Sequence, residues 1–454
     1  MADRGWKERS AVDSVEETAS TASVMRVMNE RAVFERIRLL GPVSRPQLAD
    51  ATGLSKPTIS LALASLERSG LVRHVGQSSG NSGRAALLYE MRPEAGWVVG
   101  VDVGRSWLRI ALANLAGEVV LRRQERSQSR DAKKLVAQIG SVVSTLPVEA
   151  GLSYQDVTYT VIGSPGVVDA RSGAMRLAAN LSGWDGSTVL GALGDRLGSS
   201  LAVENDINLA ALGEQAHGLG KGVPNFVFIS VGTGIGMGIV LDGQLHRGAR
   251  GAAGEIGFLP LGQVEPAAEG TSKRSRGSLE SVASAEAVVA NARRLGMRNV
   301  ITAKQVFESA RQGNKAALAA VKIEAEHLAG AVASVASVLD PELVVLGGGV
   351  GRNGDLLIEP MSKRLDKLLP LRPPPLMVSA LGDDAVVLGA LAIALARARE
   401  KVFARAMLSS PRDPGQAEGE ELQAPGPVRV GARERTPSAK IPAHPDRGAA
   451  ERDP

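Results

Sequence analysis

Three glycine-rich segments are the first candidates for chemistry in this chain, because each one follows an apolar run of residues. They cover residues 102–106, 232–238 and 347–351. Glycine after a strand lets backbone amides approach a phosphate closely, and the carboxylate of an aspartate can hold a hydrated cation. Tight turns explain any one segment equally well, so the prediction of a phosphate loop rests on all three together. Its candidate residues are Asp102, Gly104, Gly232, Thr233, Gly234 and Gly348.

A second group of polar residues lies at the start of a predicted helix, after the turn Thr52-Gly53-Leu54. A helix, a three-residue turn with glycine and a second helix form the geometry that places the second helix in the major groove of DNA. The candidate residues for this contact with double-stranded DNA are Arg45, Ser55, Lys56, Thr58, Ser60 and Arg84. The same pattern occurs in protein-interaction modules, and Ser60 is equally compatible with a solvent-facing position.

The charge of this segment favours DNA as the partner. Residues 31–84 contain eight basic and three acidic residues, a surplus of positive charge of the kind that binding by counterion release requires. The loop from Gln77 to Arg84 is polar and ends in an arginine, as expected of a wing that contacts phosphates or the minor groove.

These residues require a small domain to position them, and residues 24–92 have the pattern of a winged helix-turn-helix. Apolar residues at helical spacing predict a helix from Val24 to Leu40. Ser44 and Gln47 form a capping-box sequence for a short second helix, and Ser55 is a suitable cap for the third. Two short β runs around the wing loop complete the predicted domain.

The rest of the chain alternates β-rich runs with helical segments, which predicts an α/β architecture with buried strands. The ends are different in composition. Residues 1–23 are small and polar and are expected to form a flexible arm. Residues 409–454 are rich in Pro, Gly and charge, so we expect a disordered tail.

Composition excludes several classes of site. The 454 residues include no cysteine, which rules out disulfides and thiolate chemistry and is typical of a cytoplasmic protein. The five histidines are scattered without metal-ligand spacing, so no metal site is expected. No apolar stretch is long enough to span a membrane, and no secretory signal is recognisable.

Seven short segments, in a fixed order, carry a resemblance to a known family. They are GSPGVVD at 163–169, ANLSGW at 179–184, ENDINLAALGE at 204–214, VGTGIGMGIVLDG at 231–243, GARGAAGEIGF at 248–258, RGSLESVAS at 276–284 and VVLGGGV at 344–350. With them the sequence resembles the ROK family (repressors, open reading frames and kinases) over about residues 24–400.

The resemblance implies the fold. The winged helix-turn-helix is then followed by a two-lobed, actin-like ATPase fold of the ribonuclease H type, with a sugar cleft between the lobes. Lobe 1 is expected at 97–204, completed by a helix at 385–400, and lobe 2 at 205–384. Family members usually form dimers or tetramers, so a homodimer or homotetramer is expected.

The resemblance also assigns residues to the cleft. Those expected to line it are Asn180, Asn205, Asp206, Glu255 and Glu280, and Asp206 matches the catalytic base of the family's kinases. Carboxylates and amides pair well with adjacent sugar hydroxyls. Two alternatives remain open: Asn205 as a cap of the following helix, and Glu280 as a surface residue of a helix.

The chain departs from the family's kinases at the phosphate loop and at the zinc site. Arg105 and Ser106 follow Gly104 where kinases have a second glycine and a threonine, and the bulky arginine disfavours ATP. Phe258 replaces a zinc-binding histidine and is free to pack into the gap or to stack on a sugar. The positions of the three zinc-binding cysteines hold Thr271, Lys273 and Ser278, so we expect neither metal nor cofactor.

The favoured function is therefore a transcriptional repressor that binds operator DNA and responds to a sugar or sugar phosphate. An active, ATP-dependent sugar kinase is the alternative, favoured by Asp206 and the glycine-rich loop at 232–238. An activator, or a scaffold with a vestigial cleft, is a third hypothesis.

Overall fold

Residues 5–78, 85–128, 131–168, 175–176, 188–198, 200–260 and 277–409 are described by a computed structural model. They all belong to one compact unit, Met1–Ser410. Three predicted features, Arg84, Asn180 and the tail from residue 410, lie outside the described residues.

The N-terminal block, residues 24–92, consists of helices followed by an antiparallel hairpin. Gly53, with a φ of 71°, closes the turn between the second and third helices, where a left-handed conformation favours glycine. The strands form a three-stranded sheet in the order β1-β3-β2. The elements are α1 Gly5–Leu40, β1 Val43–Ser44, α2 Arg45–Thr52, α3 Lys56–Arg68, β2 Val72–Gln77 and β3 Leu87–Met91.

The first helix begins at Gly5, so it includes most of the segment for which the sequence predicted a flexible arm. The arm was inferred from small, polar residues. The segment nevertheless contains no proline and no glycine after Gly5, and its Ala and Glu residues are strong helix formers. A helix already nucleated by the apolar turns from Val24 onward therefore extends towards the N-terminus.

Lobe 1 is a five-stranded sheet in the order β10-β7-β4-β5-β6. Its helices α4 and α5 contribute Leu135, Val143 and Leu193 to a core with the strand residues Val101 and Ile110. The elements are β4 Trp97–Val103, β5 Trp107–Asn114, β6 Val119–Arg126, α4 Ala132–Glu149, β7 Val157–Ser164, β8 Val167–Val168, β9 Met175–Arg176, α5 Thr188–Leu197 and β10 Leu201–Asn205.

Lobe 2 is built around a second five-stranded sheet, in the order β13-β12-β11-β14-β15, with the long helix α10 in its core. The elements from Asp206 to the end of the described chain are α6 Asp206–His217, β11 Phe226–Val231, β12 Ile235–Leu241, β13 Gln244–Leu245, α7 Ser278–Ala283, α8 Ala285–Arg294, α9 Ala303–Arg311, α10 Lys315–Leu339, β14 Leu343–Gly347, α11 Gly348–Gly351, α12 Gly354–Leu368, β15 Leu376–Val378 and α13 Ala385–Ser409.

The two large sheets have the same topology. In each sheet, three consecutive strands pair antiparallel. A later strand pairs in parallel with the first of these three, and one further strand pairs in parallel with that later strand. The lobes therefore share one backbone plan, although no internal repeat is visible in the sequence.

Helix α13 joins the N-terminal block to both lobes. Val387 and Leu391 of α13 share a buried cluster with Leu209 of α6, and the same cluster continues to Phe403 of α13 and Phe34 of α1. The helix extends to Ser409, beyond the end at residue 400 that the sequence predicted.

Glycines set the distance between α6 and α13. A Cβ on Gly389 would lie 1.8 Å from the carbonyl oxygen of Leu209, and one on Gly213 would lie 2.2 Å from that of Ala385. The two backbones are therefore in direct contact, which only glycine permits.

Candidate functional site

The candidate sugar cleft, as predicted, centres on the junction between β10 and α6, where Asn205 ends the strand and Asp206 begins the helix. The side chain of Asn205 caps α6, since its oxygen accepts the N–H groups of Ile207 and Asn208 at 2.9 and 3.0 Å. Its amide donates to the carbonyl of Gly166 at 2.9 Å. The structure thus gives Asn205 the capping role, and both of its polar groups already have protein partners.

Asp206 has the properties of a general base or of an acceptor for a hydroxyl. Burial raises the pKa of its carboxyl group to about 6, against the opposing effect of a hydrogen bond from the Ile207 N–H. A carboxylate with a pKa near neutrality is suited to accept a proton or a strong hydrogen bond.

Two further carboxyl groups are electrostatically coupled to Asp206. Burial raises the pKa of Asp102 to about 7, Asp206 adds to the effect, and Arg109 opposes it. The pKa of Glu255 is raised by burial and then by Asp206 and Glu280. The cleft therefore concentrates carboxyl groups that gain from neutral hydroxyl partners.

Glu280 does not project from the surface of its helix. Its carboxylate accepts the backbone N–H of Ile235 at 3.3 Å, at the start of β12. A Cβ on Gly234 would lie 3.0 Å from the same carboxylate, so the glycine-rich loop and Glu280 are in contact.

Phe258 is 45% exposed, so it does not fill the space of the missing histidine. It is the last residue of the 3-10 turn Ile256–Phe258, which begins directly after Glu255. An exposed ring beside a cleft of carboxylates is a suitable surface for a sugar face.

The glycines of the 232–238 segment have structural roles as well. A Cβ on Gly236 would lie 2.4 Å from Ile207 Cδ1, and one on Gly238 would lie 2.6 Å from the Cβ of Ala211. These two glycines thus let α6 pack on β12. In the loop itself, the Gly232 N–H donates to Gly234 at 2.9 Å, so this amide already has a partner.

Arg105 contacts the glycine-rich segment at 232–238, because its guanidinium donates to the hydroxyl of Thr233 at 3.4 Å. Gly104 and Gly348 are also closely packed. A Cβ on Gly104 would lie 2.9 Å from the carbonyl oxygen of Trp107, and a Cβ on Gly348 would lie 2.4 Å from the carbonyl oxygen of Val231. Gly348 additionally has a φ of 77°. An arginine therefore occupies the region between the glycine-rich loops.

A network of ion pairs beside these loops was missed by sequence reasoning. Arg109 binds Asp102 at 3.1 Å and Asp383 at 3.0 Å, and Arg352 binds Asp383 at 2.5 Å. The hydrogen bond from Arg352 is the main reason why the pKa of Asp383 is lowered. The network links β5 to the turn before α13 and to the residue after α11.

The candidate DNA surface is the exposed side of α3. Ile59, Leu63 and Leu66 are fully buried, whereas Lys56 is exposed and Leu61 is 73% exposed. An apolar side chain this exposed on an amphipathic helix has no role in the core of the domain.

Ser55 and Thr58 are partly committed to the start of α3. Ser55 accepts the Thr58 N–H at 3.3 Å, and the two hydroxyls are 2.8 Å apart. Ser60 is half-buried. Arg45 donates a hydrogen bond to the hydroxyl of Tyr89 at 2.7 Å, and its guanidinium lies over the Tyr89 ring. These contacts connect α2 to strand β3.

Two of the basic residues that the sequence counted are engaged in ion pairs within the block or next to it. Arg38 binds Glu35 at 2.7 Å, and Arg73 binds Glu90 at 2.7 Å and Glu94 at 3.3 Å. These two arginines are therefore weaker candidates for contacts with phosphates.

Comparison with known proteins decides the family. The model of the ROK family matches residues 98–397. The chain belongs to the ROK family. The match covers both five-stranded sheets from Val98 onward and α13 as far as Arg397.

ROK-family relatives include both regulators and kinases. A xylose repressor of Caldicellulosiruptor bescii is 26% identical over 82% of this chain and 96% of its own length. A glucokinase of Halalkalibacterium halodurans is 31% identical over 64% of this chain and 93% of its own length. A solved structure of a ROK family transcriptional regulator, a homologue of the E. coli MLC protein, matches this chain with a TM-score of 0.69 and 23% sequence identity. The match covers 85% of this chain and 100% of the regulator. This likeness confirms the predicted α/β fold class.

Within the described part of this ROK chain, no group of three His, Asp or Glu side chains is placed to hold a metal ion. Residues 271 and 273, two of the three positions aligned with the zinc-binding cysteines, lie outside the described residues, while Ser278 begins α7. No described helix is both long enough and apolar enough to cross a membrane.

Proposed function

We propose that this ROK-family chain is a sugar-responsive transcriptional repressor that acts in the cytoplasm on operator DNA. The observation that carries the proposal is the extent of its matches. The similarity to the xylose repressor covers 82% of the chain and 96% of the repressor, whereas that to the glucokinase covers 64% of the chain. The N-terminal block is an addition that a sugar kinase does not need.

The N-terminal block supplies the DNA contacts. We expect α3 to enter the major groove, with Lys56 on a phosphate and the exposed Leu61 against a thymine methyl group. Ser55, Thr58 and Ser60 offer hydroxyls nearby, and Arg45 adds positive charge. Arg84, at the end of the expected wing and outside the described residues, is proposed to contact a phosphate or the minor groove. A homodimer or a homotetramer would place two such helices about 34 Å apart, or a multiple of this, on a symmetric operator.

The cleft supplies the recognition of a sugar or a sugar phosphate. Asp206, Glu255 and Glu280 offer carboxylate oxygens to hydroxyl groups, and Phe258 offers an exposed ring to the apolar face of the sugar. Asn180 is proposed to join them. Asn205 contributes by fixing the start of α6 rather than by direct contact, since its side chain is engaged in the cap.

Helix packing offers a physical connection between the two functions. Asp206 is the first residue of α6, α6 contacts α13 backbone to backbone at Gly389, and Phe403 of α13 stacks on Phe34 of α1 with ring centroids 5.9 Å apart. A sugar that favours a different angle of α6 would therefore shift α13 and, through it, the N-terminal block. Differential affinity of the sugar for the two arrangements is the requirement for such a switch.

Selection of genomic DNA fragments by the full chain tests the DNA half of the proposal. We expect enrichment of a sequence with two symmetric half-sites, and a reporter gene under that sequence to be more active when the protein is absent. Binding that shows no sequence preference at moderate salt would refute the proposal, and a less active reporter would make the protein an activator.

An active sugar kinase is the second candidate, favoured by the pKa of about 6 of Asp206, at the position of the family's catalytic base. Arg105 on Thr233 opposes it, because the guanidinium occupies the space between the loops. A coupled ATP assay over a panel of sugars separates the two. Turnover of about 1–100 per second, the ordinary range of kinases, would establish the enzyme, and we expect none.

A further inference from the structure

A cavity lies between α1 and the C-terminal half of α13, and none of the candidate sugar-binding residues lines it. Its volume is about 420 Å³, which is within the range of sites for small molecules. Phe34 of α1 and Phe403 of α13, which stack on each other, form its apolar wall. The cavity is therefore built half from the N-terminal block and half from the helix that packs on lobe 1.

The charged residues that line this cavity are three arginines and two glutamates. Glu35 is bound to Arg38 at 2.7 Å. Glu400 lies 3.9 Å from Arg31 and 3.6 Å from Arg397, which is outside the cavity. Both carboxylates are thus already shared with arginines.

Arg399 lines the cavity without a direct ion pair to either carboxylate. Its guanidinium is half-buried and donates twice to the carbonyl oxygen of Leu115, at 3.2 and 3.0 Å. No carboxylate of the described residues forms an ion pair with it. Burial is the main cause that lowers the pKa of Arg399 to about 10, the neighbouring charge of Arg38 adds to it, and the charge of Glu35 opposes it.

We propose that this cavity binds a small organic anion with phosphate or carboxylate groups, held by Arg31, Arg38 and Arg399. Guanidinium groups pair with both kinds of oxyanion through charge-assisted hydrogen bonds. Because the three arginines come from α1 and α13, the bound anion stabilises the packing of the N-terminal block on α13 and, through it, on lobe 1. The residues of this site are different from those proposed to bind the sugar.

Calorimetric titration of the full chain with inorganic pyrophosphate and, separately, with citrate tests the proposal at constant ionic strength. Pyrophosphate represents phosphate ligands and citrate represents carboxylates. We expect one saturable site per chain for at least one of the two, together with a higher melting temperature in its presence. Absence of saturable binding for both probes at millimolar concentrations would overturn the proposal.

Substitutions locate the site. Arg31→Gln and Arg38→Gln are each expected to weaken binding about tenfold or more, the usual cost of a lost charged hydrogen bond. Arg364→Gln, an exposed arginine of α12 outside the cavity, is the matched control and should have no effect. The phosphate loop is the competing location. If Arg105→Gln abolishes binding while Arg31→Gln and Arg38→Gln leave it unchanged, the assignment to this cavity is wrong.

Discussion

The protonation of Asp206 gives a quantitative test of the sugar cleft. If the ionised carboxylate accepts a hydrogen bond from the sugar, affinity must fall as the pH drops below the pKa of about 6 that burial gives this group. Below that pKa the carboxylate is protonated and loses its acceptor role. The apparent Kd should therefore rise about tenfold between about pH 7.5 and about pH 5, one pH unit below the pKa.

The substitution Asp206→Asn isolates this effect. It should weaken sugar binding at pH 7.5 by about tenfold or more, the usual cost of losing a hydrogen bond to a charged group. It should also flatten the pH dependence, and it should leave DNA binding intact because Asp206 is remote from α3. Asp195→Asn, an exposed aspartate of α5, is the matched control.

Calorimetric titration with an effector sugar, chosen from a thermal-shift panel of pentoses, hexoses, amino sugars and their phosphates, measures both quantities. A wild-type affinity that does not change with pH would refute the role of the Asp206 carboxylate. So would an Asp206→Asn variant that keeps the full pH dependence, because the titrating group would then be another one, such as Asp102 with its pKa of about 7.

Three further predictions concern DNA binding and stability. Lys56→Ala should weaken operator binding and reduce the slope of log affinity against log salt by about 1 for each phosphate contact that is lost. The control Lys134→Ala on α4 should change neither the affinity nor the slope. An unchanged slope for Lys56→Ala would contradict the phosphate contact. Glu324 is fully buried without a hydrogen-bond partner, and burial raises its pKa well above the ordinary value. The folded state therefore holds this proton more tightly than the unfolded state does, and the wild type loses stability as the pH rises from about 4.5 towards the raised pKa. Glu324→Gln should then be more stable than the wild type in urea at neutral pH, with a gain that shrinks towards acid pH; a gain that does not depend on pH would rule out this cause. Gly389→Ala should cost about 1–3 kcal/mol of unfolding free energy, although alanine favours helices, because its Cβ meets a backbone carbonyl. Gly191→Ala in α5, with open space around it, should instead be stabilising by up to about 1 kcal/mol, and equal effects at the two glycines would contradict the packing argument.

Local sequence signals predicted local structure well. The capping pair of Ser44 and Gln47 is present, with the side-chain Oε1 of Gln47 accepting the Ser44 N–H at 3.0 Å, and Ser55 caps α3 as its position indicates. These interactions involve residues three apart, so their chemistry is visible in a short window of sequence. The helical extent of the first residues was missed because polarity alone does not disfavour a helix.

Long-range contacts were not visible in the sequence. Arg109 and Asp383 are separated by 274 residues, and nothing in either neighbourhood indicates that they pair. The glycines at 236 and 238 were attributed to a phosphate loop, yet their lack of a side chain is required by Ile207 and Ala211 of α6. The common topology of the two sheets is likewise a property of backbone pairing, which different side chains can support.

The central claim is that the sugar cleft and the DNA-binding block are energetically coupled. The most direct test is to measure sugar affinity calorimetrically for the free protein and for its operator complex, and operator affinity with and without saturating sugar. For a sugar-released repressor, the account predicts weaker sugar binding in the complex, by the same factor by which the sugar weakens operator binding, typically about 5–150-fold. Equal sugar affinities in the free and DNA-bound states would contradict it.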